Sequence, residues 1–394
     1  MEPLGIYIHI PYCVRRCPYC GFYSNAICCG DDINTFARSD CNSEIADYFD
    51  ILKKELGYRA ESTGSSYYVD SIYFGGGTPS LADPELIGGM IDEAARIYEV
   101  TDDCEISMEA NPGTVTEDRL RAYRHAGVNR LSLGIQSFDD SVLRTLGRIH
   151  SAVDARKAFD EARAAGFSNV SMDLMFGVPG QSRKMWKETV NECASMLPEH
   201  VSFYSLQIEE GTQFYKDYKM GDMTPVSDEE DRQMYHGAIQ ILREHGYKQY
   251  EISNAALPGR ECRHNLKYWT FRDYLGIGAS ASSFMNKVRR TDPGAGYMAF
   301  ADAGFPDSEL AENHMNSDFD NAADYMITGL RLADGIDEAD FAGRFGKTVW
   351  EMFPEAKDDL KGFFEDRSVI ESDGRLMITE RGFDISNRIL SAFV

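Results

Sequence analysis

The stretch Cys13-Val-Arg-Arg-Cys17-Pro-Tyr-Cys20 decides the fold that we predict for this chain. It follows directly on the apolar run from Gly5 to Ile10, which we predict to be a β-strand. Helical neighbours recur at three and four residues, and proline resists an interior helical position, so the three thiols do not share one helix face. We therefore expect a loop that wraps around a compact metal cluster.

The spacing of these cysteines favours a 4Fe-4S cluster with one iron left open to a non-protein ligand. Structural zinc usually takes four protein ligands in two separated pairs, and the sequence has no second Cys-x2-Cys pair. Two alternatives stay open: a zinc site completed by His9 or Cys28, and cysteines that bind no metal. The candidate metal ligands are Cys13, Cys17 and Cys20.

Composition predicts a globular protein with an ample core. The chain has 394 residues, of which 26% are charged and 43% hydrophobic, and this length suits one large and one smaller domain. The first residues carry no leader pattern, and no apolar run is long enough to span a bilayer. We expect a cytoplasmic protein whose nine cysteines ligate metal or lie buried rather than form disulfides.

The charge argues against a nucleic-acid partner. A formal net charge of -24 repels a polyphosphate backbone unless a local basic patch overcomes it. Arg119, Arg121, Arg124 and Arg130 are such a candidate patch, which we interpret as a solvated helix face. A radical enzyme that acts on tRNA is therefore the weakest of the functions that we consider.

Short β-rich runs alternate with segments of helical period, which predicts a parallel α/β fold. Six strands are expected at 5–10, 69–74, 105–110, 130–135, 170–176 and 201–208, with a further short strand at 248–252. Helix starts are expected at Asp83-Pro84, at a capping box from Thr114 to Glu117, and at Ser227. We favour a partial (β/α) barrel over a doubly wound sheet.

Polar side chains follow successive strands of this predicted barrel. The Gly75-Gly76-Gly77 loop follows the second strand, Glu109 ends the third, Gln136 follows the fourth and Asp173 lies in the fifth. Because barrel enzymes collect their chemistry at the carboxyl ends of the strands, we interpret these residues as ligand-binding. The glycines alone also suit a tight turn. Arg148 is suited to pairing a carboxylate.

The chain changes character after residue 260. We predict a barrel core over 1–260, a connecting segment over 261–306 and a C-terminal accessory domain over 307–394. The connecting segment carries His264-Asn-x-x-Tyr268-Trp269. Helices expected at 320–332, 337–345, 349–363 and 380–394, with a strand at 376–379, give a small, mostly helical, winged-helix-like domain.

These motifs resemble the radical S-adenosylmethionine superfamily. The cysteine motif followed by Phe22, the Gly75-Gly-Gly-Thr-Pro79 loop and Glu109-Ala-Asn-Pro112 carry the resemblance. The stretches from Gly127 to Phe138 and from Asp173 to Gly180 are similar to its oxygen-independent coproporphyrinogen-oxidase-like branch. The His264 motif and Gly329-Leu-Arg-Leu-x-x-Gly335 are closest to the haem chaperones of the HemW type within that branch.

The resemblance implies a role for each matching position. The three cysteines would ligate three irons, and S-adenosylmethionine would chelate the fourth. Reduction would then cleave the sulfonium to methionine and a 5'-deoxyadenosyl radical. Tyr7 would border the cluster, and Arg148 would meet the methionine carboxylate. The remaining S-adenosylmethionine contacts would come from Gly76, Gly77, Thr78, Glu109, Gln136 and Asp173.

Two departures from the oxidase pattern favour the chaperone. The oxidases of this branch typically carry a further cysteine where this chain has Phe22, and they tend to have a longer N-terminal extension before the first ligand. His264, beside Tyr268 and Trp269, suits an axial ligand of haem iron with aromatic surface for the macrocycle. The alternative for His264 is a hydrogen-bonded core histidine.

Two further departures concern the cluster loop. Cys28, Cys29 and Cys41 exceed the pattern, and we interpret them as incidental thiols, with extra ligands as the alternative. Gly21 stands where the chaperones commonly have an acidic residue.

The resemblance also implies partners. Haem, or a related tetrapyrrole, would be cargo, recipient haemoproteins would take it, and an electron donor such as flavodoxin or ferredoxin would reduce the cluster. A peripheral membrane contact and a homodimer stay open. A tetrapyrrole-modifying radical enzyme, such as the oxidase, is the alternative function.

Overall fold

The computed structural model describes residues 1–27, 39–63, 66–306 and 312–394. Its strands are β1 (Glu2–Ile10), β2 (Tyr12–Cys13), β3 (Asn25–Ala26), β4 (Tyr67–Gly76), β5 (Glu99–Ala110), β6 (Arg130–Gln136), β7 (Val170–Phe176), β8 (His200–Ser205), β9 (Lys248–Glu251), β10 (Asn254–Ala256), β11 (Tyr274–Ile277), β12 (Ser282–Met285), β13 (Val288–Thr291), β14 (Glu312–Met315), β15 (Ile336–Asp337), β16 (Val369–Ser372) and β17 (Arg375–Ile378).

Helices alternate with the parallel strands of the large sheet and form most of the C-terminal region. They are α1 (Ser39–Thr63), α2 (Pro84–Ile97), α3 (Glu117–His125), α4 (Asp140–Thr145), α5 (Ala152–Ala164), α6 (Arg183–Met196), α7 (Gln213–Met220), α8 (Asp228–Glu244), α9 (Arg263–Trp269), α10 (Tyr297–Asp302), α11 (Asp318–Gly329), α12 (Glu338–Phe345), α13 (Val349–Met352), α14 (Ala356–Asp359), α15 (Lys361–Glu365), α16 (Glu380–Phe383) and α17 (Ser386–Leu390). None of the described helices combines the length and the apolar character needed to cross a membrane.

The six predicted barrel strands lie side by side and parallel. The sheet runs β14-β13-β12-β11-β1-β4-β5-β6-β7-β8-β10-β9, so the six neighbours follow the order of the chain. A doubly wound sheet would reverse that order at its centre. The partial (β/α) barrel is therefore confirmed. Most strand bounds differ from prediction: for example, β4 continues to Gly76, β5 begins at Glu99 and β8 stops at Ser205.

The segment 261–306 contributes strands to the same sheet. β11 pairs in parallel with β1, with Tyr7 opposite Gly276, and β12 and β13 extend the edge in antiparallel pairs. A Cβ at Gly276 would overlap the Ser282 carbonyl, so the small residues here let two strands approach closely. The domain boundaries that we gave stay a prediction.

Local signals placed most helix ends. Asp83 caps α2 and accepts a hydrogen bond from the Glu85 amide at 2.9 Å. Ser227 caps α8 in the same way. The capping box at Thr114 was wrong: α3 begins after Thr116, whose hydroxyl accepts from the Arg119 amide, and the Thr114 hydroxyl donates to the Asn111 carbonyl instead.

The C-terminal region has its own apolar core, built from residues such as Met326, Phe341 and Phe393. Its three-stranded sheet, in the order β15-β17-β16, adds two strands, β15 and β16, that the sequence did not suggest. The long helix expected at 349–363 is three short helices, because Pro354 follows Phe353 and bars a continuous helix there. The helix expected at 380–394 is also broken, at Asp384.

Candidate functional site

The three motif cysteines line one cavity at the carboxyl ends of the barrel strands. Cys13 ends β2, and the amide of Cys20 closes a turn onto the Cys17 carbonyl at 3.1 Å. The cavity has a volume of about 400 Å³, and all three side chains are partly exposed to it as free thiols. Burial raises the pKa of Cys13 and Cys20, so loading a cluster onto these thiols releases protons.

Polar side chains lie close to two of the cysteine sulfurs. The Thr78 hydroxyl lies 3.6 Å from Cys13 Sγ, and a guanidinium nitrogen of Arg148 lies 3.7 Å from Cys17 Sγ. Asn111 joins the two, because its amide donates to the Thr78 hydroxyl at 2.9 Å and its oxygen accepts from Arg148. Donors of this kind stabilise thiolates and cluster sulfurs, so the donor set fits an iron-sulfur cluster.

The glycine loop lies directly against the cluster loop. Gly76 has φ of +115°, and a Cβ there would lie 2.7 Å from the His9 ring. At Gly77 a Cβ would lie 2.6 Å from the Tyr12 carbonyl oxygen and 3.0 Å from Cys13 Sγ. Only glycine allows this approach. The backbone beside the first cysteine is therefore left bare.

Glu109 and Asp173 place two buried carboxyl groups in the same cavity. Glu109 accepts hydrogen bonds from the Tyr73 hydroxyl at 3.0 Å and the Gly76 amide at 3.1 Å. Asp173 accepts from the Ser132 hydroxyl at 3.0 Å. Burial and the charge of Asp173 raise the pKa of Glu109 to about 7. The arrangement favours a cationic ligand, which would hold both groups ionised.

Gln136 and Arg148 complete the rim. Gln136 ends β6 with φ of +63°, at an irregularity in the pairing with β7. This left-handed backbone is uncommon for a residue other than glycine. Arg148 donates to the Gly134 carbonyl at 2.8 Å, and its Nε has no partner among the described residues. The structure thus brings together around one cavity the three cysteines, Gly76, Gly77, Thr78, Glu109, Gln136, Arg148 and Asp173.

His264 does not line this cavity. Its ring is fully buried, with Nδ1 3.0 Å from the Ser71 hydroxyl and Nε2 2.9 Å from the Tyr268 hydroxyl. Burial lowers its pKa to about 3, so the ring is neutral. Tyr7 packs between His264 and His9, with its hydroxyl 3.1 Å from His9 Nδ1. Axial ligation by His264 stays a prediction, and it requires the bond to Tyr268 to open.

A second cavity of about 510 Å³ lies beside the first. Sequence reasoning missed it, although Phe271, Arg272 and Tyr274 come directly after the His264 motif. Gly21 and Phe22 border both cavities, and the Phe22 side chain is 70% exposed. Its aromatic and basic lining is Tyr7, His9, Phe22, Tyr23, Tyr268, Trp269, Phe271, Arg272, Tyr274, Phe284 and Arg289.

The structure argues against His9 as a zinc ligand and does not describe Cys28. His9 uses both ring nitrogens, on the Tyr7 hydroxyl and on the Tyr23 carbonyl at 2.9 Å, so it is not free to complete a zinc site. Cys28, Cys29 and the Cys41 side chain lie outside the described residues. Within the described ranges, no three His, Cys, Asp or Glu side chains converge on a single-ion site.

At Gly21 a Cβ would overlap the Glu209 carboxylate, which lines the first cavity. A side chain at position 21 would therefore displace Glu209. Because Glu209 is an exposed and flexible side chain, this displacement would cost little.

The four arginines proposed as a basic patch are not one surface. Arg119 donates to the carbonyls of Leu81 and Ala82, and Arg121 pairs with Glu117. Arg130 is buried inside the barrel with 1% exposure. The interpretation as a single solvated helix face was therefore wrong for Arg130.

Comparison with known proteins agrees with this geometry. The profile described as "Radical SAM superfamily" matches residues 7–193, and that of the "HemN C-terminal domain" matches 319–385. The chain is 33% identical to "Heme chaperone HemW" of Bacillus subtilis over 98% of both chains. It is 31% identical to the protein of that name from Escherichia coli, over 100% of this chain and 99% of that one.

The chain belongs to the HemW family of radical SAM proteins. The solved structure of "Coproporphyrinogen III oxidase (HemN) from Escherichia coli" has the same fold, with a TM-score of 0.82 at 22% identity over 100% of this chain and 90% of that one. Membership of the superfamily implies a 4Fe-4S cluster and S-adenosylmethionine.

The raised pKa of Glu109 predicts that the ligand-free protein becomes less stable toward unfolding as the pH rises. Its folded-state pKa of about 7 exceeds the ordinary value of 4.5, so the folded state binds the extra proton and stability falls as pH rises between these values. We expect Glu109→Gln to unfold at a higher temperature than the wild type at pH 8 and at an equal one near pH 4.5, with a difference of at most about 3 kcal/mol. Calorimetry of both apoproteins checks this. A difference that does not grow with pH would contradict it.

Proposed function

We propose that this protein is a haem chaperone that holds a 4Fe-4S cluster with S-adenosylmethionine and delivers haem to target haemoproteins. One observation carries the proposal: the aromatic second cavity, walled by Tyr268 and Trp269 of the His264 motif, meets the cluster cavity at Gly21 and Phe22. A flat hydrophobic ligand in the second cavity would therefore lie beside the cluster.

The chemistry of the second cavity suits a haem. Aromatic faces provide the apolar contact that a macrocycle needs, and its volume lies in the range of ligand pockets. The exposed Arg272 forms no ion pair with a described residue, while Arg289 is held by Asp324 at 2.9 Å. Two guanidinium groups at the edge of an aromatic cavity match the two propionates of haem.

The first cavity supplies the cofactor site in this proposal. Cys13, Cys17 and Cys20 hold the cluster, and the bare backbone of Gly76 and Gly77 admits the methionine part of S-adenosylmethionine. When bound, the pair supplies one-electron chemistry. The carboxylate contact comes from Arg148, and the amino group and ribose are held by Glu109, Gln136 and Asp173. The Thr78 hydroxyl stabilises Cys13, and Tyr7 lines the second cavity rather than the cluster cavity.

The proposal also requires partners. Recipient haemoproteins must accept the haem, and a donor such as flavodoxin or ferredoxin must reduce the cluster. We place the protein in the cytoplasm.

Substitutions in the second cavity test where haem binds. We expect Trp269→Ala and Arg272→Ala each to weaken haem binding about tenfold, since each removes a stacking or charge-assisted contact. Trp350→Ala is the matched control, because Trp350 packs on Phe364 in the C-terminal core. Haem titration of the cluster-loaded proteins measures this. Equal affinities in all variants would contradict the location.

Variants of His264 and Tyr268 test which side chain is the axial ligand of the haem iron. If His264 binds iron once Tyr268 withdraws, His264→Leu loses the spectrum of a nitrogen-ligated haem, and Tyr268→Phe keeps it with equal or tighter binding because a competing hydrogen bond is gone. Visible and magnetic circular dichroism spectra of the haem complexes decide. An unchanged spectrum in His264→Leu would show that another group binds the iron.

A further inference from the structure

Arg130 is a buried cation that forms no hydrogen bond or ion pair with any residue the structure describes. It begins β6, is 1% exposed, and lines the same cavity as the cluster residues. Its Nε and Nη1 atoms are inaccessible to solvent and make no hydrogen bond to any described residue. Buried arginines are normally paired, so this one calls for an explanation.

Glu105, a carboxylate that acts electrostatically on Arg130, is fully engaged elsewhere. It accepts hydrogen bonds from the backbone amides of Arg263 and His264, both at 3.2 Å, from the Cys262 thiol at 3.5 Å and from the Ser107 hydroxyl at 3.4 Å. These bonds hold Glu105 at the start of α9. Its charge attracts Arg130, but its oxygens are occupied.

The other polar neighbours are also satisfied by one another. Asp173 accepts from Ser132 at 3.0 Å and from Ser171 at 3.2 Å. The His200 ring bonds to Ser171 and to the Tyr250 hydroxyl, both at 2.8 Å. None of these groups is left over for the guanidinium of Arg130.

A second unpartnered group faces the same space. Asn265 lines the barrel cavity, and its side-chain amide makes no hydrogen bond to a described residue. The residues of the His264 motif therefore lie in three different environments. Asn265 faces the barrel cavity, His264 is buried, and Tyr268 and Trp269 face the second cavity.

The position of Arg130 separates it from the expected S-adenosylmethionine contacts. Gln136 ends the strand that Arg130 begins, which places the two backbones about 20 Å apart along β6. Arg148, the expected partner of the methionine carboxylate, lies at the cluster end beside Cys17. A ligand at Arg130 is therefore a different group.

We propose that Arg130 and Asn265 form an anion subsite at the floor of the barrel, which binds a carboxylate. Nη2, the guanidinium nitrogen that is not enclosed, and the Asn265 amide together offer donors to the two oxygens of a carboxylate. The carboxylate belongs either to a small organic acid or to the propionate arm of a tetrapyrrole. The inference rests on the unpaired Arg130 and does not depend on the proposed haem role.

The test uses the full-length, cluster-loaded protein under anaerobic conditions. Melting temperature is followed against sodium propionate, with sodium chloride at equal ionic strength as reference, and separately against iron-free protoporphyrin and its dimethyl ester. We expect propionate to stabilise the wild type beyond chloride, and Arg130→Met and Asn265→Leu to weaken its apparent affinity, the former about tenfold or more. Arg119→Met is the control, because Arg119 binds carbonyls outside the cavity.

The outcomes separate ligand binding from structure. Arg130→Met alone should melt no lower than the wild type, because removing an unpaired buried charge costs little. Stabilisation by protoporphyrin but not its ester identifies the propionate arm, and stabilisation by propionate alone identifies a small acid. No stabilisation by either probe, or equal stabilisation in Arg130→Met, overturns the proposal. Should Arg130→Met not fold, Arg130→Lys, which keeps the charge but not the planar guanidinium, decides by the same measurement.

Discussion

Cys17→Ser is expected to abolish assembly of the iron-sulfur cluster. Among the described residues, Cys17 is one of three whose thiols line the cavity, and a guanidinium nitrogen of Arg148 lies 3.7 Å from its sulfur. A hydroxyl does not replace a thiolate as a ligand of iron in such clusters. The reconstituted variant should therefore lose nearly all of the visible iron-sulfur absorbance and iron content of the wild type, measured together on anaerobic protein.

Two control variants make this result specific. Cys104→Ser changes a buried cysteine whose thiol points to the Glu105 carbonyl, and it should keep the cluster. Cys28→Ser should keep it as well, if the extra cysteines are incidental. Loss of the cluster in Cys28→Ser would show that the extra cysteines are ligands, and retention in Cys17→Ser would contradict the assignment of the centre.

Arg148→Met is expected to have the next largest effect, on S-adenosylmethionine. The guanidinium lies between Asn111, Cys17 and the Gly134 carbonyl, with Nε still free of any described partner. Losing a charge-assisted contact to a carboxylate costs about 1.5–3 kcal/mol, which corresponds to a tenfold to hundredfold weaker affinity. Equilibrium binding to cluster-loaded protein measures the change.

The matched control for Arg148 is Arg144→Met, which changes an exposed arginine in the last turn of α4. It should bind S-adenosylmethionine as the wild type does. Cluster content must be compared in both variants, because Arg148 also touches Cys17. Unchanged affinity in Arg148→Met at full cluster content would remove Arg148 from the site.

Local sequence signals were sufficient for the barrel and for the order of its loops. Buried parallel strands read as short apolar runs, and Val170–Phe176 was placed at both ends. Loops that follow parallel strands meet at one edge, so Glu109, Gln136 and Asp173 share a cavity as expected. These inferences need only the period of the pattern and the direction of the strands.

The period of the pattern and the direction of the strands do not predict contacts between segments that are distant in sequence. Arg289 reaches the second cavity because β13 pairs antiparallel with β12 at the edge of the sheet. The His264 motif suggested one ligand-binding surface. Asn265 and Trp269, four residues apart, lie on the same side of α9 and yet line different cavities, so helical spacing alone does not assign them to a cavity. The burial of Arg130 likewise follows from the inward alternation of β6, not from its neighbours in sequence.

The central claim is that one protein binds haem beside a radical SAM centre. The most direct measurement is anaerobic incubation with dithionite, S-adenosylmethionine and haem, which follows haem binding and cofactor cleavage together, alongside a parallel assay with coproporphyrinogen III. We predict saturable binding of haem to the cluster-loaded chain and no conversion of coproporphyrinogen III to protoporphyrinogen. Absence of haem binding, or conversion with matching release of methionine, would contradict the proposed function, and the second result would assign the oxidase reaction instead.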